Sequence, residues 1–354
     1  MKPLTTNNLL PANLRLVAWE VTRSCNLACV HCRASSCDKA YADELDTNAG
    51  KKLLDDISVI SKPIVILTGG EPLMRDDIFE LAIHGSAKGL SMALATNGTL
   101  INKAVAQKIK ASGIRRVSIS IDGKDAQSHD GFRGVQGAFA SAIEGIAELK
   151  NADISFQINT TITQKNINQL EDILSFTIGI GAVAHHIFLL VPTGRGKDLS
   201  GQEISPVKYE ETLNWFYQKS LTCPIELKAT CAPHYFRIFH QQKDEATKKS
   251  VSYAMHAHSR GCLGGIAFCF ISHRGIAQPC GYLDLNCGDV GTQGFVSVWQ
   301  DSPIFKNIRN LELYAGKCGV CEFVNVCGGC RARAFETSGD YLQEEPLCSY
   351  QPRK

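Results

Sequence analysis

The chain has 354 residues and 15 cysteines, far too long for a disulfide-knit miniprotein and long enough for two or three domains. Its 44% hydrophobic content is ordinary for a soluble globular protein. With 37 basic and 35 acidic residues the formal charge is +2, which gives neither the basic surplus of a nucleic-acid binder nor the imbalance of a disordered acidic chain.

The first residues, Met1 to Arg15, are polar and proline-punctuated, without the apolar stretch of a secretion signal. Leu16–Val21 then reads as a strand that ends just before Cys25. Helical spacing follows at Thr47–Ile60, then an apolar run at Ile64–Leu67. The alternation continues with Ile78–Lys88 (helix), Leu90–Ala95 (strand), Lys103–Ser112 (helix) and Arg116–Ile121 (strand). Phe139–Leu149 (helix), Ile154–Thr161 (strand), Ile167–Gly179 (helix) and His185–Val191 (strand) complete six β/α repeats. This rhythm implies an α/β fold with a parallel sheet covered by helices, open or rolled into a barrel, with chemistry at the C-terminal strand ends. The most apolar run, Ile178–Val191, contains His185 and His186 and is too short to span a bilayer. A cytoplasmic protein without a membrane span is expected. There disulfides are disfavoured, and metal or iron–sulfur ligation becomes the leading role for the thiols.

The cysteines are unevenly placed. Four lie between Cys25 and Cys37, none from there to Cys223, and eleven between Cys223 and Cys348. The expected organisation is an N-terminal segment (1–13), a core (14–200), a helical linker (201–258) and a cysteine-rich domain (259–354).

Cys25, Cys29 and Cys32 form a CxxxCxxC loop after the first strand. Three thiolates at this spacing can hold three irons of a 4Fe–4S cluster and leave the fourth open to a chelating ligand. The alternative is a zinc site with Cys37 or His31 as fourth ligand. One β/α unit later comes Thr68-Gly69-Gly70-Glu71-Pro72, where two glycines permit close backbone approach and Glu71 offers a carboxylate to an ammonium group.

With both motifs in place, residues 14–195 resemble the radical S-adenosylmethionine superfamily. The resemblance implies a partial (β/α)6 barrel in which Cys25, Cys29 and Cys32 ligate the cluster and its open iron chelates S-adenosylmethionine. Reductive cleavage then yields a 5′-deoxyadenosyl radical. It implies that Gly69, Gly70 and Glu71 form the methionine-binding turn and that His31 lies beside the adenine. Asn97, Ser118 and Ser120 sit at later strand ends, although plain strand alternation explains the two serines equally well. Arg133 and Arg195 are candidates for the methionine carboxylate, with a surface salt bridge or surface loop as the alternative.

At the other end, Cys318-x2-Cys321-x5-Cys327-x2-Cys330 is followed by Cys348, and upstream lie Cys262, Cys269 and Cys280. A zinc ribbon would explain CxxC pairs. Beside such a core, these eight cysteines resemble a SPASM/twitch extension. That resemblance implies one auxiliary 4Fe–4S cluster on Cys318, Cys321, Cys327 and Cys348, and a second on Cys262, Cys269, Cys280 and Cys330. Cys327 and Cys330 are separated by two residues where the usual motif has three. The remaining Cys37, Cys223, Cys231 and Cys287 read as small buried apolar residues. Phe268 to Leu283 suits a β-hairpin with Gly275 in its turn.

Segments such as Arg260–Gly265, Gln278–Leu283 and Cys327–Ala334 resemble the tetrapyrrole-modifying radical enzymes of sirohaem-dependent haem synthesis and of dioxo-haem synthesis. The Cys280 context, Cys-Gly-Tyr-Leu, favours removal of the acetate side chains of 12,18-didecarboxysirohaem to give iron-coproporphyrin III. The alternatives are propionate removal toward a dioxo-haem, oxidative decarboxylation of iron-coproporphyrin III to haem, and peptide modification. A tetrapyrrole substrate makes Arg195, Lys197, Arg260, Arg331 and Arg333 candidate carboxylate partners. It also makes His185, His186, His256, His258 and His273 candidate axial ligands, each set against an ordinary structural role. The implied reductant is a donor such as ferredoxin or flavodoxin.

Overall fold

In the computed structural model, which describes residues 10, 13–253, 256 and 259–353, alternating strands and helices build one parallel sheet. Strands β1 (Leu16–Thr22), β2 (Ile64–Gly69), β3 (Ser91–Thr96), β4 (Arg116–Ser120), β5 (Phe156–Ile162), β6 (Ala184–Leu189) and β7 (Glu226–Thr230) follow one another in space as in sequence. The connecting helices are α1 (Thr47–Ile60), α2 (Ile78–Ala87), α3 (Lys103–Ala111), α4 (Ala126–Arg133), α5 (Ala138–Asn151), α6 (Leu170–Gly179) and α7 (Pro206–Thr222). Several start on side-chain caps: Asp46 accepts from the Ala49 amide and Asn102 from that of Val105.

Two elements depart from expectation. The stretch 201–258, expected as a helical linker, contributes β7 in register with β6, Ala184 opposite Glu226, as a seventh parallel strand. Helix α4 was not expected, because its apolar face is weak. A capping box between Asp125 and Ser128 starts it, and Gly134 ends it at φ 71°.

The cysteine-rich region joins the same sheet. Strand β8 (Phe268–Ile271) pairs in parallel with the free edge of β1. β9 (Ile276–Gln278) folds back on β8 through Gly275, at φ 81°, and β10 (Gly288–Asp289) closes a ten-stranded sheet. The expected hairpin is present, as an extension of the barrel sheet.

Strand periodicity sorts the two faces. Val117, Ile119, Ile158, Ile187, Leu227 and Ala229 are buried against the helices. Ser118, Ser120, Asn159, His186 and Lys228 alternate with them on the inner face, which is polar and half-open.

Candidate active site and thiol clusters

The loop carrying Cys25, Cys29 and Cys32 leaves the end of β1 and is fixed from two sides. Ala28 and Val30 donate to the carbonyls of Arg133 and Phe132 at the end of α4 (3.2 and 3.1 Å). Arg195 donates its amide to the Cys32 carbonyl (3.0 Å), Nε to that of Cys29 (2.8 Å) and Nη1 to that of Ser36 (2.7 Å). Each of the three sulfurs receives one N–H: Leu27 to Cys25 (3.4 Å), Arg133 to Cys29 (3.7 Å) and Ser36 to Cys32 (3.3 Å). Burial pushes the Cys25 thiol up to about 12 and raises that of Cys29. Such thiols ionise when a metal displaces their protons.

In the glycine turn, backbone packs directly on backbone. A Cβ on Gly69 would stand 2.3 Å from the Thr22 carbonyl oxygen, and one on Gly70 2.2 Å from that of Ser24. Gly70 and Glu71 donate to those same carbonyls at 2.8 Å. The glycines therefore let β2 lie against the root of the cluster loop.

The Glu71 carboxylate, expected to meet an ammonium, is fully buried inside the turn. It accepts from Thr96 Oγ1 (2.7 Å), the Asn97 amide (2.8 Å) and the Leu73 amide (3.1 Å). Asn97 is engaged as well: Nδ2 donates to Asn26 in the cluster loop (2.9 Å), while Oδ1 accepts from Thr99. Ser118 and Ser120 stand on the half-open inner face.

Arg133, expected at a methionine carboxylate, is buried with Asp122 as its counter-charge at 2.5 Å. Asp122 also accepts the Thr161 amide at 2.7 Å. His31 lies against Phe132, ring centroids 4.4 Å apart, with Nε2 4.0 Å from Asp122. Burial, then the Arg133 charge, push its pKa well down, so the ring is neutral.

The neighbourhood passes a direct test for a polar cofactor. Arg133 Nε, Arg195 Nη2, His31 Nδ1, Ser36 Oγ and Thr193 Oγ1 are buried without a protein partner. Orphaned buried polar atoms are rare in folded chains, and their collection around one loop marks a place where a ligand supplies the missing partners.

At the back of the molecule, Cys318, Cys321, Cys327 and Cys348 line one cavity together with His234, Arg237 and Glu345. This is the set expected for the first auxiliary cluster. Among the described residues no three His, Cys, Asp or Glu side chains converge on a single metal ion. The second expected set is only partly assembled. Cys280 and Cys330 pack together, but Cys269 sits on the opposite face of β8. Its neighbour Phe270 faces inward against Gly281, so alternation turns Cys269 into the main core, where it contacts the Gln278 carbonyl (3.7 Å).

The other cationic candidates are held by the protein itself. Lys197 pairs with Glu336 (3.2 Å), and Arg333 with Glu345 (3.3 Å). Arg260 donates to the Val324 carbonyl, and Arg331 to those of Tyr341 and Gln343. Three candidate axial histidines are likewise engaged: His185 with Thr160 (2.9 Å), His256 with the Leu227 carbonyl (3.0 Å) and His273 with Glu20 (2.7 Å). His258 lies outside the described residues. His186 Nδ1 meets Gln157 (2.9 Å), but Nε2 has no partner. Lys228, which sequence reading passed over, stands beside His186 on the inner face. Its only sequence signal was alternation in Glu226–Thr230.

A family model described as the Radical SAM superfamily matches residues 19–177. The chain belongs to that superfamily and is an enzyme that uses a 4Fe–4S cluster and S-adenosylmethionine. Particular relatives cover nearly all of it. The AdoMet-dependent heme synthase of Nitratidesulfovibrio vulgaris is 54% identical over 96% of this chain and 93% of its own length. That of Methanosarcina barkeri is 48% identical over 96% of this chain and 97% of its own. The Fe-coproporphyrin III synthase of M. barkeri is 28% identical over 94% of this chain and 87% of its own. Among solved structures, Streptococcus suis SuiB bound to S-adenosylmethionine superimposes with a TM-score of 0.77, at 17% identity, over 96% of this chain and 78% of that one.

Proposed function

We infer that the enzyme makes haem by oxidative decarboxylation, converting two propionate side chains of iron-coproporphyrin III into vinyl groups. One observation carries this reading: against two enzymes of M. barkeri, the chain is 48% identical to the heme synthase and 28% identical to the Fe-coproporphyrin III synthase. That ranking outweighs the Cys280 context, which favoured acetate removal.

When bound, the cluster and S-adenosylmethionine supply a 5′-deoxyadenosyl radical that takes a hydrogen atom from an unactivated carbon. A propionate anion that loses a hydrogen atom, CO2 and one electron becomes a vinyl group, so the reaction needs an electron acceptor. Cys318, Cys321, Cys327 and Cys348 would hold one. The reductant that starts each cycle belongs to the ferredoxin or flavodoxin class.

The chain's own contribution to the substrate is the polar inner face. Lys228 makes no hydrogen bond or ion pair among the described residues; burial, then the Arg15 charge, lower its pKa. Beside it are the free Nε2 of His186 and the amide of Asn159, on adjacent strands in register. A cation among neutral donors suits a substrate with several carboxylates.

The test is anaerobic turnover of iron-coproporphyrin III with S-adenosylmethionine and dithionite, read by mass. Two successive losses of a carboxyl group plus a hydrogen support the reading. Inert iron-coproporphyrin III with acetate loss from 12,18-didecarboxysirohaem would overturn it.

A further inference from the structure

Of the candidate axial histidines among the described residues, His186 alone presents an unpartnered ring nitrogen on the inner face of the sheet. His185, one residue earlier, turns to the opposite face of β6 and is fully buried. Thr160 Oγ1 donates to the Ile121 carbonyl (2.7 Å) and so accepts from His185 Nε2 (2.9 Å). His256 is fully buried among the rings of Tyr235, Phe236 and Phe239. His273 is held by Glu20.

What His186 offers is decided by its neighbour. Gln157, buried on β5, brings its amide nitrogen within 2.9 Å of His186 Nδ1 and within 2.9 Å of Asn159 Oδ1. An amide NH2 has two hydrogens and accepts none, so it donates one to each partner, and Nδ1 is the acceptor. Burial, then the Lys228 charge, push the pKa of His186 well down, so the ring carries a single proton. With Nδ1 bare, that proton is on Nε2. A protonated Nε2 donates a hydrogen bond and has no lone pair for a metal.

The donor stands next to a cation. His186 and Lys228 are register partners on β6 and β7. Neighbouring strands run about 4.8 Å apart, close enough for the two oxygens of one carboxylate to accept from both side chains.

We propose that His186 binds a propionate of the tetrapyrrole through its Nε2–H, together with Lys228, and does not ligate the iron, and that Gln157 is the positioning residue that fixes this tautomer. The assignment rests on the reading of iron-coproporphyrin III as substrate. Recognition at this part of the barrel is then indifferent to the metal and reads the edge of the macrocycle.

The experiment compares iron-coproporphyrin III with metal-free coproporphyrin III, each titrated anaerobically into the reconstituted enzyme. His186→Leu should weaken both by about tenfold, the scale of one hydrogen bond to a charged group, and leave the visible spectrum of the bound iron porphyrin unchanged. His186→Gln, which keeps an N–H donor, should recover most of the affinity for both. Weakening confined to the iron porphyrin, with a changed ligand-field band, makes His186 an axial ligand and overturns the proposal. Undiminished affinity for both porphyrins overturns it as well. In enzyme labelled with nitrogen-15 histidine, the His186 ring, identified by its absence from His186→Leu, should show a protonated Nε2 and a bare Nδ1. Gln157→Leu should move that signature toward a mixture of tautomers. A wild-type ring protonated at Nδ1, or a signature untouched by Gln157→Leu, overturns the role of Gln157. None of these measurements involves turnover, so their failure is distinct from failure of the decarboxylation assay; wild type that binds neither porphyrin overturns both readings.

Discussion

Arg33, the residue after Cys32, donates to the carbonyl of Gly281, the residue after Cys280, at 3.3 Å. Its guanidinium lies 4.5 Å over the Phe270 ring and pairs with Glu20 on β1. The loops carrying Cys32 and Cys280 are thus joined through one half-buried cation. Arg33→Met leaves Glu20 buried beside only His273, and removing one partner of a buried pair typically costs about 3–5 kcal/mol. Anaerobic denaturant unfolding checks this. An unchanged midpoint would show that the pair adds nothing.

Glu20 also sets a pH dependence. Burial raises its pKa, but Arg33 and His273 outweigh that and hold it at about 2, against 4.5 for an ordinary glutamate. A carboxylate held low in the folded state contributes stability that is complete above the unfolded value and is lost as pH falls toward the folded one. The difference corresponds to roughly 3 kcal/mol at neutral pH. The stability gap between wild type and Glu20→Gln should be constant from about pH 6 to 8 and close progressively below about pH 4.5. A gap that widens in acid contradicts this sign.

Gly69→Ala and Gly70→Ala each place a methyl group against a carbonyl oxygen, at 2.3 and 2.2 Å. Backbone must move at the root of the cluster loop. Both variants should melt several degrees lower and reconstitute with less iron, as overpacking typically costs about 1–3 kcal/mol. Native melting and full iron would remove the packing role of the turn.

Alanine at Cys25, Cys29 or Cys32 should abolish reductive cleavage of S-adenosylmethionine, read as 5′-deoxyadenosine. Loss of Cys318 or Cys348 should spare that cleavage and block product. Product formed at the normal rate by either variant would show that the back cavity is not needed for turnover.

Lys228→Met should weaken binding of iron-coproporphyrin III about tenfold, the scale of one charge-assisted contact. The Soret band reports the titration, and affinity for S-adenosylmethionine should not change. Equal porphyrin affinity would move the carboxylate contacts away from β7.

The β/α alternation was legible because each strand and helix carries its own hydrophobic period, and observed bounds differ from those read by one or two residues through most of the core. The roles of single residues were harder to see. Glu71 and Asn97 sit where cofactor contacts were expected, and each is engaged by chain groups that only the folded turns bring near. Cys269 shows the same limit. Whether Cys269 faces core or cluster depends on how β8 registers with β1, Val17 opposite Cys269, across some 250 residues of chain. Spacing along the sequence carries no record of that pairing. Helix α4 had a readable signal in Asp125 and Ser128, masked by Gly131 and its polar composition.

The parallel pairing of β8 with β1 also governs how the chain can be divided. A protein ending before residue 259 would leave the backbone donors and acceptors of Leu16–Trp19 without their strand partner. Such a bare edge invites pairing with another molecule. The thiol-rich third is therefore no detachable module: removing it should yield aggregates before it yields a minimal cleavage enzyme.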